Sequence, residues 1–195
     1  MRVSIVRYNA GNIRSVTNAL DRIGVSYGVS GDPEELRAAD RIIFPGVGEA
    51  SSAMEYLRAT GLDVVLRETK VPLLGICLGL QLLCSGSEEG GTSCLGVLSG
   101  EVRRFVTPRK VPHTGWSQVN RVSHPIFEGI SEGSYFYFVH SYRLGVCAES
   151  VARSLYGEEF SAAAGIRNFV GVQFHPEKSG VVGERLLRNF MEWRV

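Results

Sequence analysis

Two short segments, far apart in the chain, carry the side chains best suited to covalent chemistry. Gly75-Ile76-Cys77-Leu78-Gly79 has the G-x-nucleophile-x-G form of a nucleophile elbow, with cysteine as the nucleophile. Near the other end, His175-Pro176-Glu177 sets an imidazole two residues before a carboxylate, with a proline that stiffens the bend between them. A cysteine nucleophile needs a base, and the base needs a group that orients it. Cys77, His175 and Glu177 could supply the three for attack on a carbonyl carbon. Pro45-Gly46-Val47-Gly48 could add backbone N–H groups aimed at the oxyanion that such an attack creates. Each piece alone has a plainer explanation. A cysteine in a strand–helix unit is often just buried, a histidine at a strand end often only caps it, and a Gly-bearing turn is common. His140, after the aromatic run Tyr135-Phe136-Tyr137-Phe138-Val139, is a competing base, though a hydrogen-bonded strand histidine is the simpler reading. His113 and His124 lie beside prolines in expected loops, with no carboxylate at short spacing.

The composition excludes several other classes. The chain has 195 residues, and 21 Lys and Arg balance 20 Asp and Glu, so no charge excess calls for nucleic acid or an anionic membrane. Cys77, Cys84, Cys94 and Cys147 form no C-x-x-C pair and the histidines no H-E-x-x-H, so no metal is expected. Neither a Walker P-loop nor a G-x-G-x-x-G after the first strand is present, which argues against nucleotide binding. The N-terminal residues enter a strand pattern at once and no apolar run approaches a membrane span, so a reducing cytoplasmic setting is expected, with Cys77 a free thiol.

The elements that must position these groups alternate between strand and helix in the first half. Val3 to Val6, Val25 to Val29, Arg41 to Phe44 and Pro72 to Ile76 read as strands. Between them, Ile13, Val16, Ala19, Leu20 and Ile23 fall on one helical face, and Asp32-Pro33-Glu34-Glu35 is a helix start with N-cap, first-position proline and acidic first turn. This alternation predicts a doubly wound, mostly parallel sheet in a single α/β domain. Ser85 to Thr92 reads as a flexible surface loop. Short β-like runs follow at Gly100–Val106, Ser117–Val122, Tyr135–Tyr142, Ala152–Tyr156, Ala162–Arg167 and Phe169–Phe174, then a closing helix from about Val182 to Trp193. His175 and Cys77 thus both fall at C-terminal strand ends, the edge where open parallel sheets build sites.

Taken jointly, the segments resemble the class I, triad-type glutamine amidotransferases, from Tyr8-Asn9-Ala10-Gly11-Asn12 through to the last helix. The finer signature is similar to the glutaminase subunits of imidazole glycerol phosphate synthases: Cys77-Leu78-Gly79-Leu80-Gln81-Leu82-Leu83, Pro112-His113-Thr114-Gly115-Trp116, Tyr137-Phe138-Val139-His140-Ser141-Tyr142 and His175-Pro176-Glu177-Lys178-Ser179. The glutaminase of pyridoxal phosphate synthase, where a P-G-G-E-S loop would be expected, and a flavodoxin-like cysteine hydrolase are the alternatives. The resemblance implies one domain over residues 1–195, flavodoxin-like, with antiparallel strands added in the second half. It implies glutamine hydrolysis through a Cys77 thioester, with His175 as base and Glu177 as its orienter, and no cofactor. It implies oxyanion donors at Leu78 and in Gly46-Val47, and a grip on the substrate by Gln81, Ser141 and Tyr142. It implies a heterodimer with a (β/α)₈ cyclase subunit that receives the ammonia, with Asn9, Asn12, Trp116, Tyr137 and Lys178 at or near that interface. Two departures stand out: Ser117 where the family usually carries Asn, and Glu49-Ala50 where a small residue and an aromatic are usual.

Overall fold

A computed structural model describes residues 1–195. Its first half is β1 (Val3–Val6), α1 (Ile13–Arg22), β2 (Tyr27–Ser30), α2 (Pro33–Arg37), β3 (Arg41–Gly46), α3 (Ala50–Thr60), α4 (Leu62–Glu68), β4 (Leu73–Cys77) and α5 (Leu78–Leu83). The second half is strand-rich: β5 (Gly86–Ser87), β6 (Thr92–Ser93), β7 (Glu101–Arg104), β8 (His113–Val119), β9 (Ser134–His140), β10 (Tyr142–Leu144), β11 (Ser150–Tyr156), β12 (Glu158–Ile166) and β13 (Phe169–Val172), closed by α6 (Gly180–Glu192). The main sheet has seven strands in the order β11-β12-β13-β4-β3-β1-β2. Every pair from β13 to β2 is parallel, and the two pairs that add β12 and β11 are antiparallel. The expected doubly wound, mostly parallel sheet with antiparallel additions is therefore the fold.

The sequence forms these elements for local reasons. β3 and β4 are buried on both faces, as strands covered by helices on each side must be, and so read as unbroken apolar runs. Alternate residues of one strand serve opposite cores: Ile43 packs with Val16 and Leu20 of α1 and Phe190 of α6, whereas Ile42 and Phe44 pack with Leu57 of α3 and Leu66 of α4. The Asp32 carboxylate accepts from the N–H groups of Glu34 at 2.8 Å and Glu35 at 3.1 Å, which caps α2 as expected.

Several boundaries differ from expectation, each because a long-range partner decides it. Pro45 and Gly46 are not a turn after β3 but its last paired residues, opposite Ile76 and Cys77. Ser85 to Thr92 is not a free loop. It holds β5, a 3₁₀ turn and the start of β6, and its acids find backbone partners: Glu88 accepts from Arg104 N–H at 2.7 Å and Glu89 from Ala50 N–H at 2.9 Å. His113 is not in a loop either, since it opens β8 opposite His140 of β9. The Tyr135–Tyr142 run breaks at Ser141, where the chain leaves the β8–β9 ribbon and β10 joins the sheet β10-β7-β5-β6. The strand expected at Ala162 begins back at Glu158 because β11 pairs along it.

Candidate active site

Strand order brings the chemistry-bearing segments side by side. β4 lies between β3 and β13, with Cys77 opposite Gly46 on one side and Ile76 opposite Val172 on the other. The C-terminal ends of three adjacent parallel strands therefore present Gly46-Val47, Cys77 and His175 along one edge. Cys77 adopts φ 55° and ψ −105°, a strained backbone for a non-glycine residue that turns the thiol out of the strand at the start of α5. The turn is tight because its neighbours lack side chains. A Cβ on Gly79 would fall on the Phe44 carbonyl oxygen and 3.1 Å from its carbon, and one on Gly75 would lie 2.8 Å from the Gly79 carbonyl carbon.

His175 leaves the end of the sheet, and Glu177 follows in a 3₁₀ turn over Pro176–Lys178. The His175 Nδ1 and a Glu177 carboxylate oxygen are 2.8 Å apart with both side chains only 1% exposed. A carboxylate can only accept, so Nδ1 carries a proton and Nε2 is the atom left for chemistry. Nε2 is buried with no other partner. Burial on its own would push the His175 pKa down; the charge of nearby Cys77 and the hydrogen bond and charge of Glu177 outweigh it and hold the pKa up at about 10. The ring therefore carries its proton at neutral pH, with that charge beside the Cys77 sulfur. β9 fixes this turn, because His175 N–H donates to the Tyr137 carbonyl at 2.8 Å and Tyr137 N–H to Ser179 Oγ at 3.0 Å.

The other thiols are placed differently. All four cysteines are free, but burial pushes Cys84 well up and Cys94 to about 11, and neither has an imidazole beside it.

In front of Cys77 lies a cavity of about 300 Å³. Val47, Leu78, Gln81, Ser141 and Tyr142, five of the residues expected to form the oxyanion and substrate contacts, line it with Gly48, Val139, His140 and Glu89, whereas Gly46 stays in the strand ladder opposite Cys77 and outside the lining. Two residues were not singled out from the sequence. Glu89 places a carboxylate in the wall, and burial, partly offset by its bond to Ala50 N–H, raises its pKa. Gln173 is wholly buried, with its amide nitrogen 3.7 Å from Cys77 Sγ and its oxygen 3.1 Å from Gln81 Nε2. A polar residue in the apolar run Phe169–Phe174 was the available signal; Glu89 gave none, lying in what read as a loop.

The competing base is disposed of by its bonds. His140 Nδ1 lies 2.8 Å from the Tyr142 carbonyl and Nε2 3.0 Å from His113 Nδ1, so both nitrogens are engaged. Burial lowers the His140 pKa to about 3 and that of His113 to about 4, which leaves both neutral.

Three of the expected interface residues gather on one surface. Trp116 and Tyr137 face each other across β8 and β9 with ring centroids 6.0 Å apart, and Lys178 Nζ lies 5.9 Å from the Tyr137 ring. Trp116 is 54% exposed. Asn9 and Asn12 do not join that cluster. Asn9 donates to the Ser52 carbonyl of α3 at 3.0 Å, and Asn12 sits at the start of α1 without capping it.

The chain matches the family model described as glutamine amidotransferase class-I over residues 5–193. It is 49% identical to the imidazole glycerol phosphate synthase subunit HisH of Bacteroides thetaiotaomicron, covering 98% of this chain and 100% of that one. It is 43% identical to the HisH subunit of Dehalococcoides mccartyi, over 97% and 96% of the two chains. Among solved structures, it is similar to a glutamine amidotransferase (TM-score 0.77, 24% identity, 97% of each chain) and to PurLQS from Thermotoga maritima (TM-score 0.74, 19% identity, 98% and 97%).

Proposed function

The chain belongs to the class-I glutamine amidotransferases, and from that premise we propose that it is the glutaminase subunit of an imidazole glycerol phosphate synthase. The observation that carries the reading is the buried His175–Glu177 pair, 2.8 Å apart, at the sheet edge that also presents Cys77. Glutamine enters the cavity with its carboxamide over the sulfur. The Cys77 thiolate attacks the carbonyl carbon, and the developing oxyanion is met by backbone N–H groups of Leu78 and of Gly46-Val47. Removing one such donor typically costs about 10²–10³ in rate, so the setting of the Gly46-Val47 segment governs activity. His175 gives its proton to the departing nitrogen, and ammonia leaves a thioester. Water then hydrolyses the thioester to glutamate, with His175 again holding the transferred proton. Gln81, Ser141 and Tyr142 hold the amino-acid end, and the Glu89 carboxylate in the same wall supplies a counter-charge for an α-ammonium.

No lysine or arginine lines the cavity, and in this reading the ammonia is made for another subunit. The HisH relatives are by name subunits of imidazole glycerol phosphate synthase, and the implied partner is the cyclase subunit, a (β/α)₈ barrel. Trp116, Tyr137 and Lys178 form the part of its docking surface nearest His175, with Asn9 and Asn12 further out. The complex works in histidine biosynthesis, in the cytoplasm, as one domain per chain over residues 1–195. In this chain no helix is long and apolar enough to cross a membrane.

The test is glutamate release from glutamine, with and without a cyclase subunit and its nucleotide substrate. We expect weak hydrolysis alone and strong stimulation by the partner. A diazo-oxo-norleucine-type label should fall on Cys77, and Cys77→Ala should reduce hydrolysis by at least about 10³-fold. Hydrolysis that survives Cys77→Ala would sink the reading, and equal turnover with and without the cyclase would remove its coupled part.

A further inference from the structure

We infer that Gln173 is a side-chain hydrogen-bond donor to the nucleophile, its amide N–H holding Cys77 Sγ in the thiolate form ahead of attack. The inference rests on Cys77 being the nucleophile of the proposed glutaminase. Gln173 is fully buried just past β13, its backbone N–H bound to the Ala162 carbonyl at 2.8 Å. A buried amide must place both ends of its head group on partners, and here their direction is not free. The Tyr142 carbonyl can only accept, so the Gln81 atom 2.9 Å from it is the nitrogen. That nitrogen is also 3.1 Å from Gln173, which must answer with its oxygen. The Gln173 nitrogen is thereby turned to Cys77 Sγ at 3.7 Å. One backbone carbonyl sets two amides in series.

The same carbonyl anchors a second row. It takes Nδ1–H of His140 at 2.8 Å; His140 Nε2 then accepts from His113 Nδ1–H at 3.0 Å, and His113 Nε2 accepts from the Ser117 hydroxyl at 2.8 Å. Ser117 neighbours the exposed Trp116, so an ordered run of hydrogen bonds joins that surface to the sulfur through Tyr142, Gln81 and Gln173.

The groups that face Cys77 from the surrounding elements are few. His175, backed by Glu177, stands beyond β13 and Tyr8 beyond β1, while His140 ends β9 and Glu89 lies across the cavity. Only His175 among them is a cation, and Gln173 adds a neutral donor with no carboxylate competing for its N–H. During attack the sulfur gives an electron pair to the carboxamide carbon, the C–S bond forms and the carbonyl π pair moves to oxygen. As that pair returns, the C–N bond breaks and nitrogen takes the His175 proton. The Gln173 N–H acts before these steps, by enlarging the fraction of sulfur in the attacking form.

The experiment is the pH dependence of iodoacetamide alkylation of the purified full chain, with the labelled residue located by mass spectrometry. Gln173→Leu should move the alkylation midpoint upward by about one pH unit, about tenfold in rate on the acid limb, with the high-pH plateau kept. Gln173→Glu should move it further the same way. Superimposable profiles with the label still on Cys77 would overturn the inference while leaving the glutaminase reading intact. Failure of the unsubstituted chain to label at Cys77 would overturn both. Should the variants not fold, the Gln173 side-chain amide proton is followed by NMR in the unsubstituted protein. It should shift over the pH range in which alkylation rises and lose that response once Cys77 is alkylated; a flat trace overturns the inference.

Discussion

In the proposed mechanism His175 does two jobs that depend on opposite ends of one ring. Nδ1 is committed to Glu177 at 2.8 Å, and that bond leaves Nε2 free for the sulfur and the leaving nitrogen. Glu177 therefore acts by holding a tautomer as well as by charge. In Glu177→Gln the amide can rotate to donate, the other tautomer becomes available, and the imidazolium loses its counter-ion. We expect glutamate release to fall by about 10³–10⁴-fold, with Cys77 still open to alkylation and the melting temperature lowered, because the buried imidazolium is left without its counter-ion. A loss below tenfold would remove Glu177 from this role. At this scale the chemistry was legible: the types and order of Cys77, His175 and Glu177 stand in the sequence. Gln173 was not, because its meaning lies in what three other groups do to its amide.

At the scale of elements, the site depends on how closely α5 can approach β3. Gly79 makes that approach possible, since a Cβ there would overlap the Phe44 carbonyl group, which the strand cannot move without breaking its pairing. We expect Gly79→Ala to cost about 3 kcal/mol, lowering the melting temperature by roughly 6–12 °C at about 2–4 °C per kcal/mol. Glutamine hydrolysis should fall with it, because the clash lies at the nucleophile turn. A variant that melts with the parent would show that α5 has room that this packing denies. The strand–helix alternation and the Asp32 cap were readable because they rest on neighbours in sequence. The extension of β3 through Pro45-Gly46 and the order of Ser85–Thr92 were not, because β4, β7 and α3 supply their partners.

At the scale of the molecule, the four histidines, three buried and His124 half-buried, pull stability in two directions with pH. Burial lowers His113 and His124 to about 4 and His140 to about 3, below the ordinary 6.5. The unfolded chain thus binds more protons in that window, and the stability these neutral rings carry is lost as pH falls from 6.5 toward 4. His175, held at about 10 against the same 6.5, works oppositely: its contribution is complete below 6.5 and is lost as pH rises through 10. Urea unfolding across this range should show a maximum near 6.5, with stability falling away on the acid side through His113, His124 and His140 and on the alkaline side through His175. An unfolding free energy that stays level from pH 6.5 to 4.5 would mean that these rings reach solvent.

The fold class and the kind of reaction were legible in the sequence alone, as were the residue types proposed for the nucleophile and its partners, because those depend on residue identity and on periodicities shorter than one element. Tertiary structure decided which histidine faces the sulfur. His140 ends β9 and His175 follows β13, but His140 has both nitrogens engaged, by Tyr142 and His113, whereas His175 keeps one free. It also decided that Pro45-Gly46 continues a strand beside Cys77, and that Gln173 directs its nitrogen, not its oxygen, at the sulfur. Those outcomes follow from strand order and from single carbonyl groups far away in the chain, which no local pattern encodes.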